Sequence, residues 1–419
     1  MSRTRTRRDF LRTTLGTPAL LSLAPTVPTF LTRTALAAGP KTSDRDTVLV
    51  VLQLAGGNDG LNTIVPHGDD LYAQYRPTLH LPTKQLHRIN ALLGFHPRMA
   101  AFSRLFQEGL LSVVQGVGYP NPHGGHFESM HIWQTADPTI RGQTGWLGRA
   151  VDQATRDDPT AMPAMYVGQI GQPFTMNAAR SIVSTFRTLA DVTLRGLPGA
   201  SQDDRRRRTA AISAPRHGPD SPYLDFLQRS ALAADRTSRA FEVASTAATG
   251  EYPPLQLAQR LRTVAQLIRA DVGLRIIYTE LGGVEPGGFD NHAVQLENHA
   301  ALLYQLSESV AAFVHDLKRD NLLDRVLLMT FSEFGRTVRE NGRRGTDHGS
   351  AAPLFLAGGK LAGGLVGAHP NLEDLEGAGG QKHHTDFRRV YATMLDRWLG
   401  FDSTVVLGAK FEPLNVLRG

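Results

Sequence analysis

Four short apolar runs in this chain each stop at a cluster of glycine and polar residues, and this repeat limits the fold more than any other feature. Thr47 to Leu54 (TVLVVLQL) runs into GGNDG at Gly56 to Gly60, and Leu110 to Gly118 (LLSVVQGVG) into YPNPHGGHFESMHIW. Leu274 to Gly283 (LRIIYTELGG) runs into GGFDNH at Gly287 to His292, and Arg325 to Phe331 (RVLLMTF) into SEFGRT. Their length and β-branched content make them buried strands. Between the third and fourth, Leu296, Ala300, Leu303, Val310, Phe313 and Leu317 recur at helical spacing, as in an amphipathic crossover helix. A second such helix is expected at Asp386 to Leu399 (DFRRVYATMLDRWL). Strands alternating with crossover helices predict an α/β fold, a mainly parallel central sheet with helices on both faces.

The rhythm breaks from about residue 185 to 250, which holds DDRRRR (Asp203 to Arg208), SAPRHGPDSP and an alanine-rich helical stretch. This part reads as an inserted helical or loop region, a surface insertion or lid, with its arginines on a solvated loop. A length of 419 residues allows several domains or one large one. The pattern favours a single α/β domain over residues 38–419, with the insertion inside it.

A net charge of +6 raises the question of nucleic acid, and the location of the charge answers it. Residues 1–37 carry Arg3, Arg5, Arg7, Arg8, Arg12 and Arg33 against the single acid Asp9, leaving the rest nearly neutral. No nucleic acid partner is therefore expected. The arginines of TRRDFLR precede an apolar stretch and a small-residue ALA site at Ala35 to Ala37, the order of a twin-arginine export signal. The expected partner during export is the twin-arginine translocase, which carries folded proteins. The expected location is periplasmic or extracellular. Pro18, Pro25 and Pro28 interrupt the stretch, so no permanent membrane span is expected. The chain has no cysteine, which excludes thiolate nucleophiles, thiolate zinc sites and iron–sulfur clusters.

Ligands of open α/β sheets bind beyond the carboxyl ends of the strands. Asp59 follows the first strand here; Ser129 with His123, His126 and His131 follows the second; Asp290 and His292 follow the third; Glu333 and Arg336 follow the fourth. Asp347 and His348 instead precede a fifth apolar run, Pro353 to Ala357. Singly, each has a simpler reading: Asp59 as a turn residue, Asp290 as a helix cap, Glu333 as a partner of Arg336. Jointly they suit one or two divalent metal ions of the zinc, manganese or calcium kind, bound by carboxylate oxygens and imidazole nitrogens. Two such ions can clamp the attacking and leaving oxygens of an in-line displacement. The zinc-protease, Walker and GxSxG motifs are absent.

The ordered set LAGGNDGLNTIVP, HFESMHIWQTA, GGFDNH, SEFGRT, GTDHG and TDFRRVYATMLDRWLG, spanning about residues 46 to 400, resembles the domain of unknown function 1501 family of exported bacterial proteins. That family resembles a branch of the alkaline phosphatase and sulfatase superfamily. The resemblance implies one metal held by Asp59, Asp347 and His348 with Ser129 as nucleophile. It implies a second metal held by Asp290, His292 and His384, or His383 beside it. Glu333 would orient or ligate, and Arg336 would clamp the oxyanion. Relatives often have serine where this chain has Gly125, so Ser129 takes the nucleophile's place, or hydroxide attacks instead; Ser129 also reads as a plain helix serine. His126 and His131 are local alternatives for ligation or acid–base work, and Asp386 reads as a helix cap. The implied activity is a metal-dependent hydrolase acting on an anionic small-molecule or polymer ester of phosphate or sulfate. The other reading is a non-catalytic binding or assembly protein that keeps the fold.

Overall fold

The computed structural model describes residues 47–158, 161, 163–169, 171–186, 207, 230, 235, 237–238, 241–282, 288–369 and 371–418. The expected export signal and most of the expected insertion lie outside these residues. At the centre stands β1 (Val48–Leu54), whose residues alternate between two cores. Val48, Val50, Leu52 and Leu54 pack into one, and Leu49 and Val51 into the other. A strand covered on both faces needs this continuous apolar run.

The described strands of this sheet are β1, β2 (Leu111–Gly118), β3 (Ala164–Val167), β4 (Ser184–Phe186), β5 (Ile276–Leu281), β6 (Val326–Phe331), β7 (Ala352–Gly358), β8 (Gly364–Val366) and β9 (Thr385–Asp386). Their order is β8-β2-β7-β6-β1-β5-β3-β4, with β9 also against β2. Every pairing is parallel except those of β7, which runs antiparallel to both β2 and β6. This is the mainly parallel α/β sheet that the alternation predicts.

Helices cover both faces. One face carries α1 (Ala100–Gln107), α4 (Gln256–Ala270) and α5 (Gln295–Arg319), which bury Phe102, Leu261, Val264, Leu303, Val310 and Phe313 against β1. The other carries α2 (His126–Thr135), α3 (Trp146–Ala154) and α6 (Phe387–Ala392), joined by Trp133, Trp146 and Tyr391. The Trp146 and Tyr391 rings stack at 4.1 Å. Helix α5 is the expected crossover between β5 and β6. Asp386 caps α6 by accepting from the Arg388 N–H at 2.9 Å. The chain then continues through Thr393–Leu399 in the wider π geometry rather than as one α-helix. No helix among the described residues is long and apolar enough to cross a membrane.

The reversed strand resolves the odd placement of Asp347 and His348. Ala352, at the amino end of β7, pairs with Val117 near the carboxyl end of β2, and Gly358 pairs with Leu327 near the start of β6. The segment leading into β7 thus opens on the same sheet edge as the loops leaving β1, β2, β5 and β6.

Candidate functional site

At that edge the glycines after β1 permit a close approach. Gly56 has φ +115°, and a Cβ there would lie 2.5 Å from the Asp290 backbone nitrogen. Gly57 has φ +77°, and a Cβ on it would enter the Phe334 ring. Only glycine accepts both demands. Glu333 accepts the Gly56 N–H at 2.9 Å and the Ser332 hydroxyl at 3.1 Å. Arg336, whose side chain is fully buried, donates to the carbonyls of Gly56, Gly57, Phe289 and Thr346 and to Asp290 Oδ1. One guanidinium therefore ties together the turn after β1, the loop after β5 and the segment before β7.

On this frame four polar side chains converge. His126 Nε2 and His348 Nε2 each lie 3.4 Å from Asp290 Oδ1, and His292 Nε2 lies 3.0 Å from it. His292 Nε2 and His348 Nε2 are 2.9 Å apart. The other ring nitrogens are fixed from behind. His126 Nδ1 meets Glu333 Oε1 at 2.9 Å, His292 Nδ1 meets Asp347 Oδ1 at 3.0 Å, and His348 Nδ1 donates to the Gly124 carbonyl at 2.7 Å. Asn341 donates to both Asp347 Oδ1 and the His292 carbonyl at 3.1 Å. Phe334 lies under His126 and His348, with ring centroids 4.9 and 4.7 Å away.

The local charges shape these groups. The Glu333 hydrogen bond, opposed by burial, raises the His126 pKa. Burial lowers that of His348, and the neighbouring His126, Arg336 and His292 add to the effect. Burial alone would raise the Asp290 carboxyl, but the Arg336 guanidinium holds it below the ordinary range. Asp347 is likewise held low, because His292 and Asn341 outweigh its partial burial.

His126, Asp290 and His348 form a group able to hold a metal ion, with one ligand atom from each within 4.8 Å of the others. The donor set fits a borderline divalent ion, and the 3.4 Å separations match the about 3.3 Å between neighbouring ligands around tetrahedral zinc. The buried Nε2 of His126 has no hydrogen-bond partner among the described residues. A carboxylate behind one nitrogen of an imidazole, with the other left open, is the usual setting of a metal-ligating histidine.

The structure brings together Asp290, His292, Glu333, Arg336, Asp347 and His348, with His126 at their centre. The pairs expected at two separate metals, Asp290 with His292 and Asp347 with His348, are directly joined. Three residues are placed differently. Both carboxylate oxygens of Asp59 bind the buried Arg76, at 2.6 and 2.8 Å, and Gln295 also donates to it. Ser129 is buried inside α2, its hydroxyl donating to the His123 carbonyl at 2.7 Å. His384 lies beside β2, its ring bonded to Thr385 and the Ala368 carbonyl, while His383 faces Glu376 at 3.6 Å. Arg336, expected to clamp an oxyanion, has its Nε, Nη1 and Nη2 turned to four carbonyls and Asp290. Sequence reasoning passed over Arg76, Gln295, Asn341 and Phe334. Among these only Phe334, inside SEFGRT, stood next to a recognisable signal.

The sequence model of the family described as "Protein of unknown function (DUF1501)" matches residues 113–409, and the chain belongs to that family. No curated protein matches it significantly. Among solved structures the chain is similar to the C-terminal periplasmic domain of EcEptC from Escherichia coli in complex with Zn, at 12% identity and TM-score 0.36, over 74% of this chain and 73% of that one. It is also similar to the lipoteichoic acid synthase LtaP from Listeria monocytogenes, at 9% identity and TM-score 0.37, over 91% and 81%. A third is the alkaline phosphatase from the Antarctic bacterium TAB5, at 9% identity and TM-score 0.33, over 77% and 94%. Likenesses this remote leave the chemistry to be read from the residues themselves.

Proposed function

We propose that this protein is an exported metal-dependent hydrolase of phosphate or sulfate esters, with one divalent ion held by His126, Asp290 and His348. The observation that carries the reading is the unpartnered Nε2 of His126, turned toward Asp290 by Glu333 behind the ring. Zinc is the first candidate, because imidazole and carboxylate donors in a small group suit it. When bound, the ion supplies positive charge that polarises the ester and lowers the pKa of water.

The chain's own residues do the rest. Glu333 holds the Nδ1 proton of His126 and so leaves Nε2 as the ligand atom. Arg336 fixes Asp290 and keeps it ionised. Asp347 and Asn341 hold His292, whose Nε2 faces the cluster and can take a proton from an attacking water. In this reading water attacks rather than Ser129. The burial of Ser129 also supports a second reading, a metal-holding protein without turnover. The export part rests on residues 1–37, and replacing Arg7 and Arg8 by lysine should keep the protein in the cytoplasm.

The decisive experiment is metal content by plasma mass spectrometry on protein purified without chelator or affinity nickel. About one equivalent in the wild type, lost in His348→Ala and Asp290→Ala, is expected for a single-ion centre. A metal-free, well-folded wild type would overturn the proposal. A metal-loaded protein that turns over neither phosphate nor sulfate esters would leave the non-catalytic reading.

A further inference from the structure

Beside the cluster lies a cavity of about 630 Å³, the size of a small-molecule site. His126, Asp290 and Glu333 form its charged end. Phe127, Met130 and His131 of α2 also line it, with Phe174. The His131 and Phe174 rings pack with centroids 4.9 Å apart. Phe127 follows the ligand His126 directly and is 90% exposed, an unusual position for a large aromatic. No lysine or arginine is among the described lining residues.

This composition separates two classes of ester. A sulfated or phosphorylated polymer carries further anions on either side of the reacting group, and binding them takes cations spread along the cleft. Among the described lining residues the charged groups are His126, Asp290 and Glu333, and the large side chains beside them are Phe127, Met130 and Phe174, with His131 and Gln134. We infer, resting on the hydrolase reading above, that the substrate is a small monoester whose organic part is a flat, uncharged apolar body seated against Phe127, Met130 and Phe174. The anionic head would lie at His126 and Asp290 and the ring system along α2.

The test uses the zinc-loaded full-length mature protein and compounds that differ only in the apolar body. Calorimetry compares 2-(2-naphthyl)ethylphosphonate with ethylphosphonate, and kinetics compares the corresponding phosphate monoesters, whose alcohol leaving groups are alike. The naphthyl compound should bind at least about tenfold more tightly, with kcat/KM raised by a similar factor. Phe127→Ala and Met130→Ala should each shrink that ratio. Equal affinities, or a ratio unmoved in both variants, would overturn the inference. Absence of turnover with the affinity difference intact would overturn the hydrolase reading while upholding the apolar seat.

Discussion

The Nε2 atoms of His292 and His348 stand 2.9 Å apart, each close to the same oxygen of Asp290. Two ring nitrogens that close cannot both aim bare lone pairs at each other, so a proton or a cation must lie between or beside them. The rings reach this arrangement from different loops, and each is held from behind by its own partner, Asp347 for His292 and the Gly124 carbonyl for His348. The convergence is therefore built by the fold.

Glu333→Gln preserves shape and removes the charge behind His126. Metal affinity should fall about 10- to 100-fold, as for other carboxylates behind ligating histidines. Competition against a chelator of known affinity measures this, and an unchanged affinity would free Glu333 of the role.

Ser129→Ala removes a buried hydroxyl bonded to the His123 carbonyl. The expected cost is about 1–2 kcal/mol of stability in urea unfolding, with metal content and any ester turnover retained. Turnover lost in a folded, metal-loaded variant would restore the serine as attacking group.

Asp59→Asn breaks a buried ion pair with Arg76 and should cost about 3–5 kcal/mol. Burial would raise the Asp59 carboxyl, but Arg76 overcomes it and the pKa lies below its usual 3.8. The pair's contribution is thus complete above that value and fades as pH falls through the lower, folded one. In the Asp59→Asn variant the acid limb of the stability curve should be shallower, while metal content, read at a temperature where the variant is folded, stays at the wild-type level. Loss of metal instead would make Asp59 a ligand.

His299 is buried near Asp59, and burial, assisted by Arg76 and Arg336, lowers its pKa from 6.5 to about 4 despite the carboxylate. Above 6.5 neither folded nor unfolded chain carries the proton and nothing is lost. Between 6.5 and 4 only the unfolded chain takes it up, so stability falls as the pH falls, by about 2 kcal/mol at pH 5. Urea midpoints at pH 7 and pH 5 should separate less in His299→Gln than in the wild type.

Gly56→Ala should cost about 2–3 kcal/mol, since a left-handed backbone and a clash with Asp290 coincide there. Because Asp290 is displaced, metal affinity should fall with it. A variant that unfolds and binds zinc like the wild type would show that the turn relaxes freely.

The α/β sheet and its functional edge were legible because each buried strand ends at a polar cluster, a local pattern that folding preserves. Asp290 and His292 stood out for the same reason, and Asp347 and His348 as an acid–histidine pair just before the fifth apolar run. Asp59 carries the same local mark, yet its environment is set by Arg76, which sits in AQYRPT seventeen residues away, where nothing announces a fully buried guanidinium. The grouping of the four marked residues into one centre was hidden too. It depends on the direction of β7, and an apolar heptad reads the same whichever way the strand runs in the sheet.

That one strand also governs when the site can exist during synthesis. β7 is the described link between the β8-β2 side of the sheet, which leads into His126, and the β6-β1-β5 side, which leads into Glu333 and Asp290. His126 and Glu333 are 207 residues apart, and their contact bridges this seam. A growing chain that stops just short of Ala352–Gly358 has all of its cluster residues but no strand to join the sheet halves that carry them. Assembly of the cluster therefore waits for a strand made after every one of its residues.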